Sequence, residues 1–176
     1  IRILAARADQ RLEAEDIPAD AAGLILVGGS RPTIGALFAA RSAGAVGLVS
    51  GSIDAAALRE FVGYDIGVAV TGDEETGMTV IVTEGFGDLP ISERTLAILK
   101  EFEGWEASIN GATQIRAGAI RPEVVICHND PGIAADAGAA AGLAPGARVR
   151  IIRPPFFGRI GTVEELSLIH ISEPTR

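Results

Sequence analysis

Hydrophobic and polar positions along this chain switch between two periods. The apolar run AAGLILVGG (21–29) is short, ends in two glycines and predicts a buried strand. Ser30, Pro32 and Thr33 follow, with helix-capping hydroxyls and a proline tolerated in a first helical turn. Ile34, Leu37, Phe38 and Arg41 then recur at helical spacing, and Gly44 is placed to end the helix. AVGLVSG (45–51) repeats the strand signal. Ser52 or Asp54 is the expected cap after it, and Ile53, Ala57, Leu58 and Phe61 mark a second helix face that stops at Gly63. IGVAV (66–70) and MTVIVTEG (78–85) predict two strands around a solvated turn holding Asp73, Glu74 and Glu75.

GFGD (85–88) leads into a third helix over 90–103, with Ile91, Thr95, Ile98, Leu99 and Phe102 on one face. Asp88 is its expected cap, and Gly104 its end. WEASIN, TQIRAG and PEVVICH predict three short strands divided by Asn110–Gly111 and Arg121–Pro122, and Asn-Gly favours a hairpin turn. Residues 129–146 are rich in Ala, Gly and Pro without an apolar period, which predicts a linker. The expected organisation is an α/β domain over 1–128, the linker, and the first strands of a small barrel over 147–166. The chain opens in what reads as mid-strand. Residues 167–176 depart from the preceding pattern, resemble a translated sequencing-adapter tail and are expected to add nothing to the fold, so the chain is read as part of a longer protein.

Composition sharpens this picture. The chain is 48% hydrophobic but only 5% aromatic, so its core is expected to be aliphatic. No apolar run approaches the roughly 20 residues that span a bilayer, and no membrane partner is expected. The single cysteine, Cys127, excludes an internal disulfide and suits a reducing cytoplasmic location. Residues 1–145 hold 10 basic and 20 acidic side chains, a net charge of −10, whereas Arg148, Arg150, Arg153 and Arg159 give +4 over residues 146–163 without an acid. The acidic body disfavours nucleic acid on its own surface.

Four groups of residues carry candidate chemistry. Gly28, Gly29, Ser30 and Thr33 join a strand to a helix start, where N–H groups and the helix dipole attract a phosphate or carboxylate. They match neither a Walker A loop nor GxGxxG, and any strand–helix joint favours the same residues. Asn110, Thr113, Gln114 and Arg116 form a polar cluster able to recognise carboxylates and amides, or an exposed hairpin. Glu84 and Asp88 flank GFG as an acid/base pair or as a strand end and a cap. Arg148, Arg150, Arg153 and Arg159 with Phe156 and Phe157 suit phosphates and stacked bases, or else the outside and inside of a small barrel. Cys127 and His128 are strand neighbours that face opposite ways, which disfavours a nucleophile–base pair. With no second cysteine, and no second histidine outside the tail, no zinc site is expected, nor any other metal or cofactor.

Two stretches resemble known families. Val149, Ile151, the Pro154–Phe157 turn, Gly158, Gly161 and Val163 in GARVRIIRPPFFGRIGTVEE resemble the KOW motif of SH3-like barrels in ribosomal proteins and transcription-elongation factors. That resemblance implies an incomplete KOW/SH3-like β-barrel, with Arg148 and Arg150 outside it and Val149 and Ile151 facing its core. MTVIVTEGFGDLPISERTLAILKEFEGWEASIN is similar to part of the apical domain of group I chaperonins, which implies a layered swivelling-type α/β domain. The combination also looks like a group of uncharacterised bacterial proteins. The leading expectation is therefore a non-enzymatic adaptor in transcription or translation, contacting RNA, ribosome or RNA polymerase through the KOW-like segment. The alternatives are a small-molecule anion-binding module using Gly28–Thr33, part of an enzyme completed elsewhere, and chaperonin-like peptide binding.

Overall fold

The computed structural model describes residues 1–63, 76–112, 121–127, 144–151, 155–156 and 159–166. The strand expected at 66–70, the acids Asp73–Glu75, the TQIRAG strand and the tail 167–176 lie outside the described residues, as does most of the linker. The chain divides into two compact units, Ile1–His128 and Asn129–Arg176.

In the first unit β1 (Arg2–Ile3), β2 (Ile25–Val27), β3 (Gly47–Ile53) and β4 (Thr79–Phe86) form one parallel sheet in that order. The central strands β2 and β3 are buried at every position, which is why they read as apolar runs without alternation. The two-residue strand period sends Leu26, Leu48, Val80 and Val82 to one core, with Leu37 of α1 (Ile34–Ser42) and Phe61 of α2 (Ala55–Val62). Ile25, Val27, Val49 and Ile81 point into a second core, with Leu96 and Leu99 of α3 (Glu93–Glu101). The α/β class read from the sequence is thus present, as a four-stranded parallel sheet with three helices.

The helix termini follow local chemistry, with two corrections. Thr33 caps α1 by accepting from the Ala36 N–H, so Pro32 precedes the cap and does not occupy the first turn. Asp54 caps α2 through the N–H groups of Ala56 and Ala57. Ser52, the other candidate, is buried in β3 instead. Ser92, not Asp88, caps α3 through the Thr95 N–H. The backbone at 89–91 seats against β3 before the helix begins, so α3 starts later than its apolar pattern suggests. Its inward face accordingly holds Leu96 and Leu99, while Ile98, placed inward by the sequence pattern, is 42% exposed.

β3 and β4 shift register between Ser50 and Ser52, where two steps along β3 match three along β4. Gly51 lies at this irregularity, and a β-carbon there would overlap the Ile91 nitrogen and stand 2.5 Å from the Leu89 oxygen. Ser52 fixes the same segment: its hydroxyl donates to the Leu89 carbonyl at 3.0 Å and accepts from the Leu89 N–H at 2.9 Å. A short antiparallel pair, β5 (Ser108–Asn110) with β6 (Glu123–Val125), places Ile109 and Val124 against the second core. Ile109 fills the space left by Gly47.

In the second unit β7 (Arg148–Arg150) pairs antiparallel with β8 (Ile160–Thr162). These are the strands that flank the predicted turn.

Candidate functional site

The Gly28–Thr33 segment leaves the carboxyl end of β2 and is fastened to residues 10–12. The Gly28 N–H donates to the Val49 carbonyl at 2.8 Å, Ser30 to Gln10 at 2.8 Å and Thr33 to Leu12 at 2.9 Å. The Thr33 hydroxyl, besides capping α1, donates to the Leu12 carbonyl at 3.3 Å. Ser30 is buried. A β-carbon on Gly29 would stand 2.6 Å from the carbonyl oxygens of Arg7 and Gln10, so glycine is needed here for close backbone approach. An anion site of the helix-start type works through open N–H groups. Those of Gly28, Ser30 and Thr33 are engaged within the protein.

The residue between them, Arg31, carries chemistry that the sequence reading passed over. Its guanidinium lies 3.7 Å from Asp54, after β3, and 3.7 Å from Asp88, after β4. Its Nε is buried without a hydrogen-bond partner, alone in this among the described residues. Arg31 and the two acids are 23 and 57 residues apart in sequence. Only the pairing of neighbouring parallel strands brings them to one edge, and no local spacing signals it. Asp88 therefore serves an ion pair and not the expected helix cap. Glu84 accepts a hydrogen bond from the Thr83 hydroxyl.

Asp54 shows the electrostatics of its position. The N–H groups of Ala57 and Ala56 hold its carboxyl below the ordinary value of 3.8; desolvation opposes this, and Arg31 and Arg59 add to the lowering. A lowered folded pKa stabilises the fold above the unfolded value and ceases to do so as pH falls through the folded one. Asp54→Asn keeps a capping oxygen without the charge. Wild type is therefore expected to melt above Asp54→Asn at neutral pH, with the gap closing below pH 3.8 in melts followed by circular dichroism.

The arginines of the second unit divide between two faces of the hairpin. Arg148 opposes Thr162 and Arg150 opposes Ile160, so these four share one exposed face. The Ile151 N–H bonds the Arg159 carbonyl at 2.9 Å and extends the register. Arg159 thereby falls on the side of Val149 and Ile151, its guanidinium 5.9 Å from the centre of the Phe156 ring. Phe156 is 52% exposed. Val149 is half-buried, whereas Ile151, expected to face a barrel core, is exposed. Arg153 and Phe157 lie outside the described residues.

Thr113, Gln114, Arg116 and His128 also lie outside the described residues. Asn110 accepts from the Ala112 N–H at 3.0 Å, closing a local turn beside β5. Cys127 is exposed and, with Trp105, Glu106, Ala107, Ser108 and Val125, lines an open groove of about 470 Å³. Among the described residues no group of three His, Cys, Asp or Glu side chains is placed to hold a metal ion. No helix among them is long and apolar enough to cross a membrane. No protein-family model, curated protein or solved structure matches the chain.

Proposed function

We propose that this protein is a non-enzymatic adaptor whose β7–β8 hairpin contacts single-stranded RNA, in the transcription or translation setting implied by its KOW-like segment. The carrying observation is the exposed face on which Arg148 and Arg150 stand side by side with Ile160. Arginines two apart on a strand offer parallel charge to successive phosphates, while the exposed Phe156 ring offers a stacking surface. The net charge of −10 over residues 1–145 leaves this hairpin as the concentrated basic feature of the sequence. The swivelling-type reading of residues 1–128 and the SH3-like reading of 147–166 belong to the same proposal.

Titrating the protein with a fluorescent single-stranded RNA at several salt concentrations tests it. Weak binding is expected, falling with salt at a slope of about −0.7 per phosphate contact. Replacing both Arg148 and Arg150 by Ala is expected to flatten that slope by about 1.4. Binding indifferent to salt, or untouched by the double substitution, would remove RNA as the partner of this face.

A further inference from the structure

The carboxyl edge of the parallel sheet, which the adaptor reading leaves unused, presents four side chains from three consecutive strands. Arg31 follows β2, Asp54 follows β3, and Phe86 and Asp88 lie at the end of β4. We infer that the edge binds a neutral polyhydroxylated ligand, either a saccharide or the ribose of a nucleoside.

Phe86 is 61% exposed and is the most exposed of the large hydrophobic side chains among the described residues. The glycines on either side, Gly85 and Gly87, hold φ values of 112° and 117°, a region rarely open to other residues. Neither neighbour can lay a side chain over the ring. Phe86 pairs with Ile53 across the sheet, and the Gly87 N–H bonds the Ile53 carbonyl at 3.1 Å, which sets the ring one residue from Asp54. An exposed ring in this position offers a flat apolar surface to the C–H face of a sugar.

The polar groups are matched to hydroxyls. At 3.7 Å, Asp54 and Asp88 neutralise Arg31 without accepting hydrogen bonds from it. A hydroxyl seated beside such a pair can accept from the guanidinium and donate to the carboxylate at once. Asp88 has a side chain 70% exposed and can swing aside from the buried Nε without disturbing the core. Charge selects further. Two carboxylates repel a phosphate or carboxylate ligand, and the guanidinium between them repels a cation. A neutral ligand with several hydroxyls meets neither penalty.

Saturation-transfer NMR on the full chain tests this with three probes: cellobiose, adenosine and 2′,3′-dideoxyadenosine. Transfer to cellobiose assigns a saccharide site. Transfer to adenosine that is absent with the dideoxy analogue assigns the ribose. In either case Phe86→Ala is expected to abolish the transfer and Asp88→Asn to weaken it, with the melting temperature unchanged because both side chains are exposed. If Phe86→Ala lowers the melting temperature, Phe86→Leu keeps apolar bulk without a ring and is expected to show the same loss. The inference is overturned if no probe receives transfer, if the dideoxy analogue matches adenosine, or if the signal survives both substitutions.

Discussion

Gly51→Ala is expected to destabilise the N-terminal unit by about 3 kcal/mol or more, the upper range for forcing extra atoms into a packed interior. The added methyl would overlap the Ile91 nitrogen and stand 2.5 Å from both the Leu89 oxygen and the Pro90 carbonyl carbon. Each of these is backbone, so no side-chain rotation relieves the contact. The segment is also held in place: Ile91 and Gly51 both donate to the Gly29 carbonyl at 3.0 Å, and Leu89 is gripped at its N–H and carbonyl by Ser52. Relief of the overlap must break at least one of these bonds. A fall of roughly 10 °C in melting temperature is expected, read by circular dichroism. Gly35→Ala is the control, since its new methyl would meet Ala14 at an ordinary 3.5 Å inside a helix. That change is expected to be neutral or stabilising by up to about 1 kcal/mol. If Gly51→Ala melts with wild type, the 89–91 segment does not seat against β3.

Leu37→Ala is expected to have a similar effect by the opposite route, removing atoms from the interior. Leu37 is fully buried in α1 and packs in the core that holds Leu26, Leu48 and Phe61. Deleting a buried leucine side chain costs about 2–5 kcal/mol, more where the surroundings cannot close over the space. They have little room to do so here, because the neighbours Ala36 and Ala40 are short and the sheet behind them is fixed by its hydrogen bonds. A denaturant titration is expected to show a lower midpoint with an unchanged slope. Leu37→Met, which conserves volume, is expected to lose less than about 1.5 kcal/mol.

The parts of the fold legible in the sequence were those set by neighbours in the chain. Thr33, Asp54, Gly44 and Gly63 mark helix ends through bonds that reach at most a few residues, and the structure uses them so. The third helix is less legible. Ile91 fits its apolar repeat, yet belongs to the segment seated on β3, and only that distant contact delays the helix start to Ser92. β3 likewise runs to Ile53, two residues past the glycine where the apolar run ends, because the Gly51 position is part of the sheet and not a turn. Arg31, Asp54 and Asp88 were invisible as a group for the same reason. Separately they look like a loop charge and two caps, and their proximity depends on strand register.

The fastening of β1 gives the chain a directional asymmetry in folding. Among the described strands, β2, β3 and β4 each lie beside the one that precedes them in sequence, so the sheet can extend as successive segments leave the ribosome. β1 occupies the edge with only two residues. Besides β2, it is held by the Ile3 N–H to the Glu103 carboxylate and by the Gly104 N–H to the Ile1 carbonyl. The Ile3–Glu103 bond spans a sequence separation of 100 residues. Loops of that size close slowly and only after the intervening chain exists. Of the four sheet strands β1 is therefore secured after the other three, and until residues 103–104 arrive its outer edge is open to solvent and to other chains.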